Sequence, residues 1–112
     1  MLKKFMAAVL SAILLVGVLF TTPGLAANLE NGKQVFAATC SGCHANGGNI
    51  VRRNKTLKLK ALEQNGYATV AAIAQIALNG KNNMPGYKTK LTAAQIEDVS
   101  AYVLDQAKKG WK

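Results

Sequence analysis

Cys40-Ser41-Gly42-Cys43-His44 is the stretch on which the reading of this chain turns. Cysteines three positions apart put two thiols one helical turn from each other, and the next residue carries an imidazole. Two sulfurs so placed can add to the two vinyl groups along one edge of a porphyrin, after which the imidazole can swing onto the iron from the proximal side. This is the attachment motif of c-type haem. A dithiol redox motif with the same cysteine spacing needs a strand-turn-helix setting beside a parallel sheet, and no alternating strand pattern occurs in the chain. A structural zinc site wants four ligands, against two cysteines and one histidine here. A disulfide between Cys40 and Cys43 would close too small a loop to constrain the unfolded chain.

Haem iron in an electron carrier takes a sixth ligand, and the soft sulfur of methionine is suited to it because it favours ferrous iron and raises the potential. The sequence holds three methionines, Met1, Met6 and Met84. The first two lie in a leader-like segment, so Met84 is the remaining candidate. It sits in Gly80-Lys81-Asn82-Asn83-Met84-Pro85-Gly86, where Pro85 restricts the backbone at the ligand. With His44 and Met84 on the iron, no open position is left for oxygen or peroxide, which argues against catalysis. A packed, cavity-free core between these two residues would overturn this reading.

Upstream of the motif, Met1 to Lys4 make a short basic start, Phe5 to Phe20 an uncharged and mainly apolar run, and Thr21-Thr22-Pro23-Gly24-Leu25-Ala26 a breaker followed by small residues. The pattern is that of a Sec-type signal peptide. Gly24 and Ala26 place the cut after Ala26, so that residues 1–26 leave and 27–112 form one monohaem domain. The alternative is a retained membrane anchor, for which the apolar run is short against the roughly 20 residues of a span.

The 112-residue chain carries 14 Lys and Arg against 5 Asp and Glu, a formal net charge of +9. Loss of Lys3 and Lys4 with the leader would keep the remainder strongly basic. Acidic docking surfaces are implied, with no nucleic acid and no stable membrane insertion after cleavage; a monomer is expected. A domain this small buries only about 60% of its unfolded surface and needs a staple, which a large apolar cofactor would provide.

The spacing of Leu29, Gly32 and Phe36 predicts a first helix over about Leu29 to Thr39. Gly32 within it either admits close approach of another helix or is simply tolerated. Ala45 to Asn54 reads as a loop, Lys55 to Gln64 as the site of a short helix, and Thr69 to Leu78 as a third helix stopped by Asn79-Gly80. Thr92-Ala93-Ala94-Gln95 matches a capping box, followed by the apolar stripe Ile96, Val99 and Val103. Lys108 and Lys109 suit the C-terminal end of that last helix, and Gly110 its stop.

These residues resemble the cytochrome c6 family, soluble class I c-type cytochromes of cyanobacterial and algal photosynthesis. The resemblance runs over nearly all of 27–112. It rests on the Cys40–His44 motif, on Asn79-Gly80-Lys81-Asn82-Asn83-Met84-Pro85, on Lys55-Thr56-Leu57, and on Ile96 to Leu104 before Trp111. It implies an all-α, class I cytochrome c fold of about four helices around one covalently bound haem c. The first and last helices would cross at Gly32, Phe36 and Tyr102. Asn49 and Lys55 match positions that hydrogen-bond near, or pair with, the haem propionates, although Lys55 also reads as an ordinary solvated lysine. Family members take electrons from cytochrome f of the cytochrome b6f complex and pass them to photosystem I or a terminal oxidase, in the thylakoid lumen or the periplasm.

Arg52, Arg53, Lys55, Lys58 and Lys60 form the densest basic stretch, either a docking surface or a merely solvated face. Lys90 matches a position near the exposed haem edge where many members carry arginine. One departure stands out: many photosynthetic donors have glutamine four residues before the loop glycine, whereas this chain has Ile76. Gln75 would point about 100° away on a helix. A hydrocarbon in place of an amide at the haem predicts a lower potential, and c6-like cytochromes with an aliphatic residue there serve as the alternative. A haem-based sensor whose Met84 dissociates, and a thiol or disulfide protein without haem, are the other readings.

Overall fold

The computed structural model describes residues 27–112; the proposed leader, 1–26, lies outside the described residues. Helix α1 spans Leu29–Val35 and continues through a π-helical turn, Phe36–Cys40, into the short helix α2, Ser41–His44. A 3₁₀ turn, Ala45–Gly47, follows. After the loop come α3, Leu59–Gln64, α4, Val70–Asn79, and α5, Ala93–Lys109. Taking Leu29 to His44 as one continuous helical run, the fold has the four helices that the sequence leads one to expect. Among the described residues the only β-type pairing is an isolated bridge between Lys81 and Met84.

Local chemistry explains where the helices begin and end. The Asn28 side chain accepts from Asn31 N at the start of α1, and the Thr69 side chain accepts from Ala72 N at the start of α4. Each satisfies a backbone donor that the helix itself cannot. The capping box at α5 is complete: Gln95 N donates to Thr92 Oγ1 at 3.1 Å, and Thr92 N donates to Gln95 Oε1 at 2.8 Å. Gly110 ends α5 in the left-handed conformation.

Two boundaries differ from the sequence expectation. The first helix runs past Thr39 because the π turn carries helical backbone into the motif itself. Residues 55–58 stay outside α3, because Lys55 N donates to Arg52 O and Leu57 N to Gly47 O. Those bonds commit the segment to the preceding loop instead of a helix.

Helix α5 packs against both α1 and α4. At the α1 crossing Gly32 is buried, and a Cβ there would sit 2.8 Å from Tyr102 Cβ and collide with the Asp98 carbonyl. Glycine is therefore required by close backbone approach, which decides between the two sequence readings of Gly32. Phe36 fills the adjoining space, 5.5 Å from the Tyr102 ring and 5.3 Å from the Trp111 indole, while Tyr102 and Trp111 meet edge to face at 6.3 Å. Such tilted aromatic pairs contribute roughly 0.5–1.5 kcal/mol each beyond their burial.

Polar contacts fix the same crossing at its rim. Asp98 accepts from Asn28 N and from Asn31 Nδ2, both at 2.8 Å, so one carboxylate of α5 holds the first turn of α1. The buried core beside it is Val35, Phe36, Val99 and Val103. It is small and lies to one side of a cleft, onto which Ile73, Ile76 and Ala77 of α4 face.

Candidate haem cleft

The cleft encloses about 1320 Å³ of empty space, a figure that includes the solvent at its open mouth. Its lining joins the motif to the methionine turn: Cys40, Cys43, His44 and Met84 all border it. Phe36, Leu57, Ile73, Ile76, Val99 and Val103 contribute apolar wall. Ser100 also borders the cleft and is completely buried, yet its hydroxyl is satisfied by donating to Ile96 O at 2.7 Å. The space the sequence demanded between His44 and Met84 is present.

On the motif side, positions i, i+3 and i+4 share one face of helical backbone, and Cys40, Cys43 and His44 present that face to the cleft. His44 Nδ1 lies 2.7 Å from the Gly48 carbonyl oxygen. A carbonyl can only accept, so Nδ1 carries a proton, and in the neutral ring Nε2 is then the nitrogen with the lone pair. This is the tautomer a metal ligand needs, held by the type of outer contact that fixes ligating imidazoles.

Cys40 is half-buried, and burial pushes its thiol up to about 11. A redox dithiol works through a lowered thiol pKa, so the environment of Cys40 opposes the dithiol reading. Among the described residues no cluster of three His, Cys, Asp or Glu side chains could hold a metal ion, which likewise leaves the structural zinc alternative without ligands.

On the opposite side, the turn carrying Met84 is closed by two reciprocal backbone bonds of 3.0 Å, Lys81 N to Met84 O and Met84 N to Lys81 O. Gly80, at φ 75°, packs so tightly that a Cβ would lie 2.6 Å from both Gly86 N and Met84 O. Past the turn, Tyr87 N donates to Ala77 O at 2.9 Å and Lys88 N to Leu78 O at 3.2 Å, fastening the strand of chain to the end of α4.

Asn49 and Lys55 border the cleft, and each has local work. Asn49 Oδ1 accepts from Val51 N and Arg52 N, and its Nδ2 donates to Lys55 O at 3.0 Å, which shapes the 49–55 loop. The Lys55 ammonium donates to Asn65 Oδ1 at 2.8 Å and lies 5.7 Å from the Tyr67 ring centre. Both retain donor hydrogens beyond these bonds. Ile76 faces the cleft, whereas Gln75 is exposed and accepts from Asn79 Nδ2 at 3.0 Å. Gln75 is therefore no substitute for an amide in the cleft.

Sequence reasoning missed Tyr67, Asn65 and the anchoring of Trp111. Lys81 Nζ lies 5.2 Å over the Tyr67 ring, and hydrogen bonding to Lys81 lowers the phenol's pKa. Trp111 Nε1 donates to Leu57 O at 2.9 Å, tying the chain end to the loop below the cleft. Nothing in the local pattern distinguishes these side chains from surface ones, since their partners lie far away in sequence.

Chain-wide similarity agrees with the geometry. The family model described as cytochrome c oxidase, cbb3-type, subunit III matches residues 27–103. A cytochrome c6-like protein of Nostoc sp. strain PCC 7120 is 47% identical over 99% of this chain and 100% of its own length. Cytochrome c6 of Thermosynechococcus vestitus is 50% identical over 99% of this chain and 98% of its own. The chain belongs to the cytochrome c6 family.

The crystal structure of cytochrome c6B from Synechococcus sp. WH8102 superposes with a TM-score of 0.73 at 41% identity, covering 76% of this chain and 97% of that one. The fold is accordingly the all-α class I cytochrome c fold, and the cofactor of this cytochrome c6-type electron carrier is covalently bound haem c. The cleft fits that group on its own evidence: two cysteines, an imidazole with a free Nε2 and a thioether border one apolar-walled space. Among the described residues no helix is long and apolar enough to cross a membrane.

Proposed function

We propose that the protein accepts single electrons from cytochrome f of the cytochrome b6f complex and donates them to photosystem I or a terminal oxidase, in the thylakoid lumen or the periplasm. It would be exported by cleavage after Ala26 and act as a monomer. Haem c supplies the one-electron chemistry when bound. Cys40 and Cys43 tether it, and His44 and Met84 serve as axial ligands. The observation that carries this reading is the His44–Gly48 bond, which leaves Nε2 available on the same cleft that Met84 borders. With both axial positions taken by side chains, the protein is a carrier and not an enzyme.

Asn49 and Lys55 would meet the propionates with the donor hydrogens their local bonds leave over. Arg52 borders the cleft and is exposed, as are Arg53, Lys58 and Lys60, and exposed Lys90 lies over the ring of Tyr87, which also borders the cleft. A basic face so placed is attracted to an acidic partner and its association weakens with salt.

Ile76 in the cleft wall favours a second reading, a c6-like carrier of lower potential with another partner. A redox titration of the mature holoprotein with absorption spectra in both states separates the two. A potential near that of cytochrome f, with the weak ferric band of methionine-to-iron ligation, supports the photosystem I donor. A markedly lower potential with the band intact supports the second reading, and no haem spectrum overturns both. Rapid carbon monoxide binding to the reduced form would instead favour the sensor.

A further inference from the structure

The turn that carries Met84 is fastened by its backbone to α4, yet it also has a side-chain link to the other bank of the cleft. Tyr67 follows α3 and is anchored there, its backbone N–H donating to Leu62 O at 2.7 Å. Leu62 is buried, so this point of attachment is firm. The Tyr67 ring lies close to two ammonium groups, Lys81 Nζ at 5.2 Å and Lys55 Nζ at 5.7 Å from its centre. Both distances fall inside the range at which a cation is drawn to an aromatic face.

The two lysines belong to different banks. Lys81 begins the Met84 turn and shares both of its closing hydrogen bonds. Lys55 ends the Asn49 loop on the motif side and is held by Asn65 Oδ1, whose own amide donates to Ala61 O at 2.9 Å. Tyr67 therefore does more than cover the mouth.

We propose that Tyr67 is a positioning residue that latches the Met84 turn through Lys81, bracing it against the α3 and Asn65–Lys55 side of the cleft. The latch lowers the fraction of time in which the turn swings away from the cleft. It rests on the reading of Met84 as an axial ligand.

The test uses the holoprotein. Exogenous imidazole competes for the ferric iron only when the turn is open, so its apparent affinity reports the open fraction. Replacing Tyr67 by leucine (Y67L) should tighten imidazole binding and speed carbon monoxide binding by about two- to fivefold, the size expected of a partly exposed cation–π contact. Y67F keeps the ring but loses the hydroxyl that meets Lys81, so it should fall between the original protein and Y67L. K81Q should reproduce the Y67L effect, and the Y67L/K81Q pair should add little to either change alone, since both remove one contact.

Should Y67L fail to fold, K81Q against Y67F still decides. Imidazole and carbon monoxide binding unchanged in Y67L and K81Q, with the ferric methionine band present throughout, would overturn the latch alone. Full additivity of Y67L and K81Q would also overturn it, as the two residues would then act separately. Absence of that band from the unaltered protein would overturn the Met84 assignment and the latch with it.

Discussion

The two banks of the cleft hold their candidate ligands in opposite ways. On one bank, three functional side chains stand within five consecutive residues on a single helical face, and the imidazole is steered by a carbonyl four residues on, Gly48. On the other, a single thioether sits on a tight turn that owes its shape to Gly80, to reciprocal bonds with Lys81 and to the end of α4. The first bank is local chemistry carried by helical spacing. The second is placement by tertiary contact, with no cysteine beside its candidate ligand.

Removing both tethers, Cys40→Ala with Cys43→Ala, should have the largest effect: no haem remains with the chain on a denaturing gel stained for haem peroxidase activity. If haem stayed covalently attached, the assignment of the first bank would fail. Met84→Ala breaks the second bank alone. Haem should stay attached, while the ferric methionine band disappears and carbon monoxide binding to the reduced form becomes fast, as read by flash or stopped-flow spectroscopy. An unchanged band would mean that another residue supplies the sixth ligand.

Gly32→Ala tests what the banks share, because the α1–α5 crossing lies beneath both. The new methyl meets Asp98 and Tyr102 with no room to yield, and overpacking of this kind costs about 1–3 kcal/mol. Denaturant unfolding of the holoprotein should show that loss without selective disappearance of the methionine band. If the band went first, the second bank would depend on the crossing far more than the first.

Ile76→Gln should produce the smallest structural change and the most specific shift. It places an amide in the cleft wall with no effect on either ligand, so the midpoint potential should rise while the band and the folding stability stay close to those of the unaltered protein. A potential that did not move would remove Ile76 as the reason for a low-potential reading.

Much of this was legible beforehand, for definite reasons. The Cys40–His44 segment, the capping box at Thr92 and the stop at Gly110 are each encoded within a few residues, where helical spacing and backbone hydrogen-bonding needs leave little choice. Met84 could be named because no other thioether lies in 27–112. The extent of the first helix was underestimated, since a π turn has no distinctive residue pattern, and α3 starts later than expected because loop bonds capture residues 55–58.

The sequence by itself determined the candidate chemistry, namely which sulfurs and which imidazole stand in the haem-attachment spacing, together with the basic charge balance and the number of helices. Only the tertiary structure decided that Gly32 is an obligatory contact, that Asp98 clasps Asn28 and Asn31, that Trp111 reaches Leu57, and that Tyr67 meets both Lys55 and Lys81. The physical reason is range. Spacing along the backbone fixes which side chains share a helical face, but an asparagine, lysine or tyrosine on the surface has many equivalent partners until packing selects one.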